Sequence, residues 1–338
     1  MIQETTLLKN IHPLILDAYK ILSGQELSRP EILALAAEIQ GEDLMDLLSL
    51  AHKVKNKYST ESIPCSIINA KSGLCSENCR YCAQSAAHHC DIKKYDLLSA
   101  EDVLADARKV YATGVRRYGY VTSGFGYLKN THEFTQILET LDLLHREMPD
   151  LQICAALGIL SRETAALLAE HHLYRYNMNL QTNPARYAEL VATTHTIEDK
   201  IQTIKYVQEF GITNCTGGII GLGENWEDRI DMAFAVKKLG VEGMTVNVLL
   251  PIPGTKLENQ PTMHPFEVAK AFALFRLIYP RVMIKFAAGR ETLMKDFQGL
   301  LMLAGASSLM TGGYLTTRGR TVAEDDLLRE QLTAFGEH

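Results

Sequence analysis

Long apolar runs are missing from this 338-residue chain. No stretch approaches the roughly eighteen consecutive apolar residues of a membrane-spanning helix, so none is expected. A basic excess is missing too: 34 Lys and Arg stand against 40 Asp and Glu, a formal net charge of −6. Phosphate backbones want a basic surface, which argues against a nucleic-acid partner. The opening residues, MIQETTLLKNIHPLILDAYK, lack a basic segment followed by a long apolar core. They read as an amphipathic helix rather than a secretion signal. No low-complexity linker or charge run divides the chain. A cytoplasmic protein is expected, where thiols stay reduced. The seven cysteines then argue for metal or redox chemistry rather than disulfides.

What is present is a repeated strand–helix pattern. Residues 1 to about 60 read as a helical segment, with a capping box at Ser28-Arg29-Pro30-Glu31. Short apolar strands follow at Cys65–Ala70, Arg117–Thr122, Gln152–Leu157, Arg175–Leu180, Asn214–Ile220, Thr245–Leu250, Val282–Ala287 and Ser308–Thr311. The helices between them begin on cap signals at Ser99, Ser161 and Thr196. Eight such units predict an α/β fold, a (β/α)8 TIM-type barrel over 61–320, with the N-terminal helical extension and a helical tail over 321–338. A doubly wound open sheet uses the same units, and periodicity alone does not separate the two. In a barrel, ligands gather at the C-terminal ends of the strands.

The chemistry-bearing stretch is GLCSENCRYCAQSAAHHCD, Gly73 to Asp91. Cys75-x3-Cys79-x2-Cys82 offers three thiolates in one loop after the first strand, and thiolates select iron–sulfur clusters, zinc or cuprous copper. A structural zinc site normally adds a second C-x2-C or a spaced His pair. Here the two histidines, His88 and His89, are adjacent. Three cysteines on a four-iron cube leave one iron open for a chelating ligand. A zinc loop remains the plain alternative.

This loop resembles the signature of the radical S-adenosylmethionine superfamily. Five further segments narrow the likeness: YNMNLQT at Tyr176, CTGGIIGLGE at Cys215, TVNVLLPIPGT at Thr245, FAAGRE at Phe286 and YLTT at Tyr314. Together they look like biotin synthase over most of residues 60 to 320. The resemblance implies a 4Fe-4S cluster on Cys75, Cys79 and Cys82 that cleaves S-adenosylmethionine to a 5′-deoxyadenosyl radical. That radical takes hydrogen from two carbons of dethiobiotin, and a second iron–sulfur cluster donates sulfur. It further implies a reducing electron-transfer partner and a homodimer. By the same likeness Tyr81, Gln181, His195, Gly221 and Gly223 meet S-adenosylmethionine. Asn179, Asn247, Lys285, Thr316 and Thr317 face the substrate. A carboxamide matches the donor and acceptor of a cyclic urea, although a strand-end Asn also serves simply to satisfy loop backbone.

The chain departs from the family pattern at four places. Gly119 replaces a cluster cysteine of strand 2, and Lys285 replaces a cluster arginine of strand 7. A protonated ammonium has no lone pair for iron. Gln181 stands for an aspartate, and His195 for an arginine that meets the methionine carboxylate. Seven cysteines minus the three of the loop leave Cys65, Cys90, Cys154 and Cys215. Four complete a cysteine-only cluster, so these are the expected ligands of an auxiliary centre, four-iron rather than two-iron. Against that, buried cysteines also serve as small apolar residues.

Two other readings stay open. One is a relative resembling methylornithine synthase or a hydrogenase maturase, acting on an amino-acid-like substrate. The other is an electron-transfer or scaffold protein.

Overall fold

Along Arg117–Thr122 the side chains take opposite duties in turn. Tyr118 sends its hydroxyl out to Asp106 on the flanking helix Ala100–Ala112. Val121, on the other face, lines an interior cavity. This period of two repeats on strand after strand. The computed structural model describes residues 10–59, 64–317 and 319–336.

Eight parallel strands run in chain order: β1 Cys65–Lys71, β2 Arg117–Thr122, β3 Gln152–Ala156, β4 Arg175–Asn177, β5 Thr213–Cys215, β6 Gly243–Val248, β7 Met283–Phe286 and β8 Ser308–Leu309. Each pairs with the next. A parallel bridge between Cys65 and Met310 then joins the last strand to the first, where Thr311 N donates to Cys65 O at 2.9 Å. Sequential order plus closure makes this a barrel, not a doubly wound sheet.

The fifth strand differs from the expected Asn214–Ile220. It breaks after Cys215 and resumes as Gly218–Ile220, which pairs with Val246–Val248 of β6. At the break the backbones nearly touch. A Cβ on Gly217 would lie 1.9 Å from Thr245 O, so only glycine fits.

The core lies between sheet and helices. Tyr118, Tyr176 and Phe286 are almost fully buried there, and Phe286 meets Phe272 of helix Pro265–Ile278 edge-on at 5.2 Å. Each such ring contributes about 1.5–3 kcal/mol of burial. Ser28, Ser99, Ser161 and Thr196 all start helices as their cap patterns predict. Part of the opening helical stretch, residues 1–9, lies outside the described residues, and helix Pro13–Ala18 follows them. Helix Asp43–Tyr58 packs on helix Pro265–Ile278. The last helix, Val322–Gly336, is tied to the barrel by a buried ion pair, Arg290 to Asp325 at 2.7 Å. Among the described residues no helix is long and apolar enough to cross a membrane.

Candidate active site

The loop after β1 folds back on itself. Cys75 N donates to Gln84 O, Ala86 N to Cys75 O, and Cys82 N to Cys79 O. These bonds turn three thiols into one small region. Burial, then the charge of Cys82, pushes the Cys79 thiol up to about 12. Burial likewise pushes Cys82 up to about 11. Bound iron displaces such protons. Among the described residues, no three His, Cys, Asp or Glu side chains converge tightly enough for a single metal ion. A cluster spreads its ligands over several irons.

A cavity of about 330 Å³ lies between this loop and the open end of the barrel. Tyr81, Gln181, Asn179, Asn247, Lys285, Thr316 and Thr317 all line it. Gln181 donates through Nε2 to the Tyr81 hydroxyl at 2.7 Å, and its Oε1 is buried with no partner. Asn179 spends its oxygen on Gly217 N. Asn247 uses both ends on backbone, accepting from Ala288 N and donating to Gly218 O. So the backbone-satisfying role of these asparagines is present, beside a cavity that both still line. Sequence reasoning missed Asn177. It lines the same cavity, and its Oδ1 is buried and unpartnered. Its place in YNMNLQT, two residues before Asn179, carried the signal.

Two expected contacts are not brought to the cavity. Gly221 and Gly223 are absent from its lining, and the Gly221 N–H donates to Glu224 Oε1 at 2.7 Å. His195 is buried with both ring nitrogens engaged. Nδ1 pairs with Glu77 Oε2 at 2.7 Å and Nε2 with the Tyr187 hydroxyl at 2.6 Å. Burial, then the Lys200 charge, holds His195 below the usual histidine range. The neutral ring thus donates from Nδ1 and accepts at Nε2, with no N–H left for a ligand. Another buried cation nearby is Lys200, which sequence reasoning missed and which lies over the Tyr187 ring at 5.9 Å. It is 9% exposed, close in charge to Cys79 and Glu77, and donates only to Met178 Sδ at 3.6 Å.

A second thiol group lies deeper. Cys65, Cys154 and Cys215 stand on β1, β3 and β5 and are all buried. Lys285 reaches in among them, with Nζ 3.1 Å from Cys65 Sγ. Burial pulls the Lys285 ammonium down, but Cys215, Cys65 and Cys154 together outweigh it, and the net shift is upward. Cys215 also shares a hydrogen bond with Thr245 Oγ1 at 2.7 Å. Cys90 is not with them. It is half-buried on the outer loop, where burial and Glu258 raise its thiol and Lys94 lowers it. The space a cysteine at Gly119 would fill is taken: a Cβ there meets Ile67 Cγ2 at 2.8 Å.

Two family descriptions match the chain: the radical SAM superfamily over residues 71–258 and the biotin and thiamin synthesis associated domain over residues 245–332. The biotin synthase of Chlorobium luteolum is 51% identical over 96% of this chain and 98% of its own length. That of Pelodictyon phaeoclathratiforme is 49% identical over 97% and 99%. The chain belongs to the biotin synthase family. It is a radical S-adenosylmethionine enzyme, and the superfamily implies a 4Fe-4S cluster and S-adenosylmethionine. The three loop thiols, the unpartnered Gln181 oxygen and the buried Lys200, which no carboxylate pairs among the described residues, suit those groups. Among solved structures, a methylornithine synthase superposes with a TM-score of 0.81 at 18% identity, covering 94% of this chain and 96% of that one. An FeFe-hydrogenase maturase from Carboxydothermus hydrogenoformans gives 0.74 at 19%, covering 94% and 78%. At such identity these two share the barrel fold, while the close sequence relatives are biotin synthases.

Proposed function

We propose that this biotin synthase family member converts dethiobiotin to biotin by sulfur insertion, with two iron–sulfur centres at opposite ends of one cavity. The observation that carries the reading is the pair of thiol groups. Cys82 of the radical loop lines the cavity, with Cys75 and Cys79 tied to it by the loop's backbone bonds, while Cys65, Cys154 and Cys215 gather around Lys285, a cavity-lining residue. When bound, the first cluster with S-adenosylmethionine supplies a 5′-deoxyadenosyl radical for hydrogen abstraction, and the auxiliary cluster supplies sulfur.

The chain's own residues divide the rest. Tyr81 and Gln181 receive the adenosine, and the unpartnered Gln181 Oε1 is an acceptor for a ribose hydroxyl. Lys200 stands behind the cavity wall, near Cys79 and Tyr187, and is the cation on that side for the methionine carboxylate, the role first given to His195. His195 instead holds Glu77 and Tyr187 in place beneath the loop. Asn177, Asn179 and Asn247 face the ureido ring, with Thr316 and Thr317 at the far wall. Gly221 and Gly223 shape the loop after the fifth strand rather than touch ligand.

The auxiliary ligand set becomes Cys65, Cys154 and Cys215, without Cys90. Three protein ligands suit a four-iron centre that carries a non-protein ligand on the remaining iron. Lys285 donates to a cluster thiolate instead of binding iron. A reducing electron-transfer protein and a homodimer complete the reading.

Anaerobic turnover with reductant, S-adenosylmethionine and dethiobiotin, followed by mass spectrometry, tests it. Biotin is the expected product. Deoxyadenosine without biotin would overturn the assignment and favour an amino-acid-like substrate.

A further inference from the structure

One buried cation has no role in the site described so far. Arg175 opens β4 and is 6% exposed. Register places it directly beside Cys154 on β3 and Thr213 on β5. Two residues on, Asn177 lines the cavity, so Arg175 continues that inward row toward the barrel floor. Its neighbour Tyr176 points the other way, with its hydroxyl bonded to Gly158 O at 2.5 Å.

The guanidinium is only partly satisfied. Nε donates to Thr213 Oγ1 at 3.1 Å, and the plane lies 5.3 Å from the Tyr174 ring centre. Nη1 is buried and donates to nothing. A charged donor left this way is costly, more than a neutral one. The nearby Arg117 makes the contrast: Nε and Nη2 both reach Gln152 Oε1, at 3.0 and 2.8 Å, and Nη1 faces Met283 Sδ. Arg117 has work in the fold, and Arg175 keeps a donor in reserve. Two cations thus stand at the thiols from different strands, Arg175 beside Cys154 in register and Lys285 on Cys65.

We propose that Arg175 is the positioning donor for an inorganic sulfide at the auxiliary centre, the anionic ligand that three cysteines leave unfilled. The inference rests on the three-cysteine reading above. The anion needs a compensating charge and an N–H donor in a dry site, and Arg175, beside Cys154 in register, keeps Nη1 buried and unpartnered. Lys285 is already committed to Cys65.

The test uses full-length protein reconstituted anaerobically with iron and isotopically labelled sulfide, then desalted. Iron, acid-labile sulfide and retained label are measured for wild type, Arg175→Met and Arg175→Lys. Wild type is expected to hold about eight irons per chain, from two four-iron centres, and sulfide in excess of iron. Arg175→Met keeps the iron but binds the excess sulfide ~10–100-fold more weakly, the size of a charge-assisted hydrogen bond; Arg175→Lys recovers part of it. Eight irons with unchanged sulfide affinity in Arg175→Met overturn the role of Arg175 alone. About four irons in wild type overturn the auxiliary centre itself, and Arg175's role with it. If Arg175→Met does not fold, Arg175→Gln, neutral but able to bond Thr213, is decisive: retained excess sulfide there refutes the proposal.

Discussion

Lys285 Nζ stands 3.1 Å from Cys65 Sγ, across the seam where β8 meets β1. Neither residue belongs to the radical loop, yet together they mark where the proposed second centre would be built. The ammonium gives charge and a hydrogen bond to a thiolate without competing for iron.

That contact separates Cys65 from Cys90. Cys65→Ser should lower reconstituted iron from about eight to about four per chain, the loss of one four-iron centre. Cys90→Ser should leave it near eight, because Cys90 interacts with Glu258 and Lys94 on the outer loop. Iron and sulfide analysis decides between them. Equal losses in both variants would restore Cys90 to the ligand set.

Lys200 should govern S-adenosylmethionine affinity. Lys200→Met removes the buried cation near Cys79 and should raise the KM for S-adenosylmethionine by ~10–100-fold, as one charged hydrogen bond warrants. Lys200→Arg should restore most of it. His195→Gln should act less on KM than on thermal stability, since both imidazole nitrogens serve internal partners. Steady-state kinetics and thermal melts measure the split.

The tight fit at Gly119 is open to a double-mutant cycle. Gly119→Ala pushes a methyl against Ile67 Cγ2 at 2.8 Å and should cost about 1–3 kcal/mol by overpacking. Ile67→Ala removes the obstructing atom. The two changes together should cost less than their sum, read by denaturant unfolding of the reconstituted protein.

Far from the site, Lys55 sets a pH dependence. Burial, then the charge of Arg276, brings its ammonium down to about 8, though Nζ donates to Met302 O at 2.8 Å. An unfolded lysine titrates near about 10.4. Between these values the unfolded chain binds more protons, so stability rises with pH. As pH falls, stability is lost across that window, and below about 8 the cost of the buried charge is felt in full and no longer changes. Lys55→Met should therefore stabilise the protein at pH 7 by ~1–2 kcal/mol and flatten the rise above pH 8. Unfolding curves at several pH values between 7 and 10 test this.

Strands, caps and the radical loop were legible because each is local. Alternation, a Ser or Thr before a helix, and C-x3-C-x2-C all act within a few residues. Side-chain destinations were not. Lys200 lies in IEDKIQT, where a lysine among acidic residues reads as solvated, yet the helix turns it inward. His195 matched a ligand-binding position, but Glu77 and Tyr187, distant in sequence or hidden by the turn, claim both nitrogens. Counting cysteines suggested four ligands, but a count carries no direction. The loop bearing Cys90 runs outside, where the Pro251–Gly254 turn packs so closely that a Cβ on Gly254 would lie 2.4 Å from His89 O. Strand register, by contrast, put Cys65, Cys154 and Cys215 inside as their alternation requires.

The bridge at Cys65 has a mechanical side. Backbone hydrogen bonds hold the barrel only hoopwise, strand to neighbour, and at the β1–β8 seam the hoop is fastened by Cys65, Met310 and Thr311. A centre held by Cys65, Cys154 and Cys215 would act as spokes, tying β1, β3 and β5 through the middle where no backbone bond reaches. A filled centre would then brace the seam from within, and emptying it of iron would leave the clasp to its backbone bonds alone.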